Sequence, residues 1–108
     1  VETTRILQEL SELTAMNRKG VEALFEAEEE LAHAEAELDT VEAKAFLDAE
    51  GSVAERQARA KLSASEVRLA RDVARASVTR IKTKLRVIES EIVAQSTMAK
   101  LLAAEARL

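Results

Sequence analysis

His33 is the only histidine of the chain, with Glu30 three residues before it and Glu37 four after it. On a helix those offsets bring side chains to one face, and an imidazole among carboxylates is the raw material of a divalent metal site. The same pattern on an acidic helix is also ordinary solvated charge, and the heptad phase described below turns His33 to solvent. Glu28, Glu29 and Glu30 are consecutive; consecutive helical residues diverge by about 100°, so their carboxylates do not converge on one cation. The Ser and Thr residues have no nearby base, and no glycine-rich loop could cradle a phosphate. Cysteine is absent, which excludes thiolate nucleophiles, Cys-ligated zinc and disulfides. We therefore expect a chain that is not an enzyme, with no catalytic residue, metal, cofactor or small-molecule substrate.

The cations carry a different chemistry. Arg18 and Lys19 in the first half come level with Arg80, Lys82, Lys84 and Arg86 if the chain folds back on itself near residue 52. Such a girdle, with Val21 as the nearest flanking residue to Lys82, meets few acids and could neutralise phosphates. Trp and Tyr are absent and neither phenylalanine falls in the girdle, which argues against stacking on single-stranded bases. Nucleic-acid binding is thus one functional reading; a solvated face balanced by the acidic half is the plainer one.

The elements that would position these groups are long helices. Of the 108 residues 47% are hydrophobic, mostly Ala, Leu and Val, and 33% are charged, with no Pro and two Gly. That balance belongs to an all-α coiled coil and excludes a sheet protein or a disordered chain. No apolar run is long enough for a membrane span, and the N-terminal residues lack the basic-then-apolar pattern of a secretory signal, so we expect a cytoplasmic protein with no membrane partner. The net charge of −4 is unevenly divided: residues 1–50 carry 14 acidic and 4 basic side chains, and residues 51–108 carry 6 and 12. Two helices of opposite sign attract one another along their length.

Two seven-residue repeats supply the seam. In the first half Leu10, Asn17, Leu24, Leu31, Leu38 and Ala45 fall at heptad position a, with Ile6, Leu13, Gly20, Ala27, Ala34, Val41 and Asp48 at d. In the second half Ala64, Arg71, Val78, Leu85, Ile92 and Ala99 fall at a, with Ala60, Val67, Ala74, Ile81, Ile88, Gln95 and Leu102 at d. An antiparallel pairing in which facing residue numbers sum to about 105 makes the seams coincide. Glu28, Glu35 and Glu42 on one helix then flank Lys61, Arg68 and Arg75 on the other as a charge ladder. Arg71 would reach Glu35 or a neighbouring acid, and Asn17 and Gln95 read as polar residues that fix register or partner.

The reversal is marked by Gly51, Ser52 and Glu55. Gly51 suits the left-handed position after a helix, and Ser52 with Glu55 forms a capping box, the hydroxyl accepting from the Glu55 amide and the carboxylate from the Ser52 amide. We expect one domain over residues 1–108: a first helix over about 3–50, a turn at 51–52 and a second helix over about 53–107. Gly20 reads as a small residue making room for Leu85 in a continuous or slightly bent helix, the alternative being a hinge.

The stretch from Ala43 to Ala60, AKAFLDAEGSVAERQARA, resembles the turn region of small two-helix coiled-coil proteins encoded by tailed bacteriophages. In these a helix ends in an aromatic, an acid-Gly-Ser/Thr turn follows, and an Ala-Glu-Arg start opens the next helix. The resemblance covers about one-sixth of the chain and implies a phage setting, a host-cytoplasmic location and an accessory role, some such proteins lying among replication and recombination genes. It transfers no catalytic residue.

Outside the seam, Phe25, Ala32, Ala36, Ala43, Phe46 and Leu47 on the first helix and Leu62, Leu69 and Val73 on the second form an apolar back concentrated near the turn. Contiguous apolar surface marks an interface. The expected fold is a long antiparallel coiled-coil hairpin that self-associates through these residues into a four-helix or larger bundle, a homodimer being the simplest. Its expected function is non-enzymatic: an adaptor or inhibitor of a protein partner. The alternatives are a nucleic-acid accessory factor acting through the girdle and a virion assembly or scaffold component.

Overall fold

The computed structural model describes residues 1–108 and contains helices and connecting turns only. Helix α1 spans Glu2–Asp48, α2 spans Val53–Ser63 and α3 spans Ser65–Ala106. Strong helix formers fill all three, and proline is absent. The chain divides into two compact units, one made of Val1–Leu24 with Arg80–Leu108, the other of Phe25–Thr79.

The cores follow the heptads. In the first unit Ile6, Leu85 and Ile88 are buried; in the second Ala27, Leu38, Ala60, Ala64 and Val78 are. All eight are seam positions, and every other seam residue is at least half-covered except Asp48, which is exposed. The two cores differ in content. Ile and Leu bury roughly 1.5–3 kcal/mol each, whereas the alanines of the second unit bury less and act mainly by letting backbones approach.

Within the first unit, α1 passes through Gly20 without interruption. A side chain there would place its Cβ 2.5 Å from Leu85 Cδ2, so the missing side chain is what admits Leu85. The hinge alternative is therefore not needed: the glycine is a contact residue inside a regular helix. In the second unit, Arg68 Nη2 lies 3.6 Å from Glu42 Oε1 and Arg75 Nη2 lies 3.8 Å from Glu35 Oε1. These are two rungs of the expected ladder; Glu28 and Lys61 form no ion pair. Both rungs are partly exposed, so each contributes under ~1 kcal/mol and serves register more than stability. Arg71 takes the acid beside it, its Nε donating to Asp72 Oδ1 at 2.7 Å, which leaves Glu35 to Arg75.

The second helix is not one element. It is divided at Ala64, whose φ of −92° and ψ of 7° leave the α-helical range. The backbone bonding nevertheless runs on through it, the Ala64 amide donating to the Ala60 carbonyl at 3.0 Å and the Arg68 amide to the Ala64 carbonyl at 2.9 Å. Ala64 is fully buried. Arg68 spans the irregular turn, its Nη1 donating to the Lys61 carbonyl at 3.1 Å while Nη2 faces Glu42.

The chain reverses over residues 49–52. Gly51 has φ of 110°, a conformation that side chains strongly disfavour. Ser52 caps α2: its hydroxyl accepts from the Glu55 amide at 3.2 Å. The return bond differs from the expected capping box, because the Glu55 carboxylate accepts from the Ser52 hydroxyl at 3.2 Å and not from its amide. α1 also ends earlier than expected, at Asp48, with no basic residue in its last turn. Arg56 supplies the missing cation, donating from Nε to the Phe46 carbonyl at 3.1 Å with its guanidinium carbon 4.2 Å from the Phe46 ring centre.

Candidate interaction surfaces

The apolar back of the second unit is largely open to solvent. Phe25, Leu47, Leu62, Leu69 and Val73 are 61–76% exposed. Ala32, Ala36 and Ala43 are exposed beside them. Phe46 differs: it is half-buried, and Arg56 covers its ring, so it belongs to the turn and not to the outward face.

These residues do not form a single continuous wall. Ala43, Phe46 and Leu47 meet Gln57, Ala60 and Lys61 around an open groove of about 580 Å³. Leu69 and Val73 line a separate groove of about 520 Å³ with Glu30, Ala70 and Ser77. Phe25, Ala32, Ala36 and Leu62 line neither.

The first unit carries exposed apolar side chains that the heptad reading overlooked. Leu7, Met16, Val87, Val93, Met98 and Leu101 are 45–65% exposed. Apolar surface is thus not confined to the neighbourhood of the turn. One groove of about 280 Å³ is lined by Met16, Gly20, Ala23, Ile81, Leu85 and Ile88 together with Lys19 and Lys84. A second, of about 260 Å³, is lined by Met16 and Leu13 with Glu9, Glu12 and Glu91, Ala94 and Gln95.

All six girdle residues, Arg18, Lys19, Arg80, Lys82, Lys84 and Arg86, lie in this first unit and are exposed. None of them takes part in an ion pair. Lys19 and Lys84 share the groove beside Gly20.

His33 is exposed, and its nearest acid is Glu29, with Nε2 3.9 Å from Oε1, in place of the Glu30 and Glu37 considered from spacing. No group of three or more His, Cys, Asp or Glu side chains is placed to hold a metal ion. The hydroxyls of Thr14, Thr40 and Thr97 donate to the carbonyls of Leu10, Ala36 and Val93 one turn back, as threonines on regular helices do. No helix is long and apolar enough to cross a membrane. Asn17 is the one polar seam residue with an unmet need: its Oδ1 is buried without a hydrogen-bond partner. The chain matches no protein-family model, no curated protein and no solved structure, so its surfaces alone carry the functional argument.

Proposed function

We propose that the protein is an antiparallel coiled-coil hairpin acting as a non-enzymatic interaction module, one that self-associates into a helical bundle and serves as an adaptor or inhibitor of a protein partner. The contacts Arg56–Phe46, Arg68–Glu42 and Arg75–Glu35 in one unit and Gly20–Leu85 in the other support the antiparallel pairing. The observation that carries the functional reading is the exposure of Phe25, Leu47, Leu62, Leu69 and Val73 at 61% or more, outside a seam that is already filled. Leu47, Leu69 and Val73 line open grooves, which a partner would cover. The phage accessory setting implied by the turn sequence fits a small protein that works by binding.

Sedimentation velocity over a micromolar concentration range tests this directly. Wild type should show a mass above one chain, and Leu62→Glu with Leu69→Glu should reduce it while helicity at 222 nm is kept. A strictly monomeric wild type removes the self-association.

A second reading is favoured by the unpaired girdle cations of the first unit: contact with nucleic-acid phosphates. Labelled DNA should then sediment with the protein at low salt and be released as salt rises. Replacing Lys82, Lys84 and Arg86 with Glu should abolish that binding, and unchanged affinity would exclude the girdle.

A further inference from the structure

The two grooves of the first unit meet at Met16, which is 45% exposed and lines both. They differ in charge. On α1, Glu9, Glu12, Met16, Lys19 and Ala23 follow one another at offsets of three or four, so they share one face. On α3, Lys84, Ile88, Glu91 and Gln95 do the same. Both helices therefore change sign along the same flank, with Lys19 and Lys84 in the wall of one groove and Glu9, Glu12 and Glu91 in the wall of the other. Glu12 stands about 6 Å from Met16 along α1 in one direction and Lys19 about 4.5 Å in the other.

A surface that is apolar in the middle, basic at one end and acidic at the other is complementary to itself under a two-fold rotation about its centre. We infer that this flank docks a second copy of the chain, related by a two-fold axis passing near Met16. Lys19 and Lys84 of each copy then meet Glu9, Glu12 and Glu91 of the other, and the two Met16 side chains meet on the axis. Methionine suits that place, since its unbranched, flexible side chain fills irregular apolar gaps. The inference rests on self-association and adds to the apolar back of Phe25–Thr79 a second contact surface, in the first unit.

Two charge-swapped variants test it. One carries Lys19→Glu and Lys84→Glu, and the other carries Glu9→Lys, Glu12→Lys and Glu91→Lys; all five positions are exposed or half-exposed, and circular dichroism checks that each variant stays helical. Sedimentation equilibrium should show each variant alone associating at least about tenfold more weakly than wild type, because like charges now face across the axis. An equimolar mixture of the two should recover association, as a heterodimer. Met16→Lys, which keeps helix propensity and places like charges on the axis, should weaken wild type by a similar factor. If wild type associates and both variants alone do so equally well, the Met16 flank is not the interface, although self-association stands; Leu69→Glu then locates it in the other unit. If wild type is monomeric at about 100 μM, a concentration at which weak dimers form, both this inference and self-association fall.

Discussion

Replacing Gly20 with alanine sets two effects of similar size against each other. In a helix interior the change should stabilise by roughly 0.5–1 kcal/mol, since glycine has more backbone freedom to lose on folding. The new Cβ, however, would lie 2.5 Å from Leu85 Cδ2 and 3.3 Å from Cγ, about an ångström short of ordinary contact at the nearer atom. Leu85 is only 8% exposed and cannot swing freely into solvent. Overpacking of this kind costs about 1–3 kcal/mol. Packing outweighs propensity, and Gly20→Ala should destabilise by about 1 kcal/mol. In a Leu85→Ala background both clashing atoms are gone, so the same substitution should stabilise by up to about 1 kcal/mol. The sign reversal amounts to a coupling of about 2 kcal/mol between the two positions. Urea titrations of all four proteins, followed by circular dichroism at 222 nm and at one fixed protein concentration, would measure it. A stabilising Gly20→Ala in the wild-type background, or an equal effect in both backgrounds, would refute the close contact.

The remaining predictions concern the seam and the turn. Asn17→Leu removes a buried, unpaired Oδ1 from a heptad a position and adds apolar burial, so stability should rise by about 1–2 kcal/mol; a lower urea midpoint would mean that the amide is satisfied in solution. Gly51→Ala must hold φ near 110° and meets Glu55 Oε2 at 2.6 Å, and should cost about 1–2 kcal/mol in the same titration. Arg56→Ala loses the bond to the Phe46 carbonyl and the contact with its ring, a loss of about 1 kcal/mol that should lower the thermal midpoint by a few degrees.

Much of the fold was legible because helical periodicity is a property of spacing alone. The residues that the structure buries are heptad positions, and Gly20 against Leu85 follows from one pairing rule. The departures arise where energy depends on side-chain reach or local competition. Arg56 has several rotamers, and nothing in the heptad says that it turns back over Phe46 to supply a helix end with its missing cation. The irregular turn at Ala64 falls on a buried heptad a position, where the seven-residue pattern runs on without a signal. Met16, Val87 and Leu101 are less legible, because the first unit spreads its exposed apolar groups singly among charges. Of the acids within reach of Arg71, the heptad leaves Glu35 and its neighbours open, and the guanidinium takes Asp72.

The turn over residues 49–52 also decides what kind of molecule forms on folding. Every contact that α1 makes with α2 or α3 in one chain could equally be made with those helices of a second chain if residues 49–52 continued as helix. The exchanged pair would then differ from the folded-back chain in four residues and in the entropy of pairing two molecules. A short connection holds its two helices at an effective concentration of order millimolar, so the folded-back form wins in dilute solution. That advantage shrinks as protein accumulates or as the left-handed step at Gly51 is penalised by a side chain. Four residues thus act as a gatekeeper against strand exchange, and refolding Gly51→Ala at high concentration should trap swapped dimers that dilution releases only slowly.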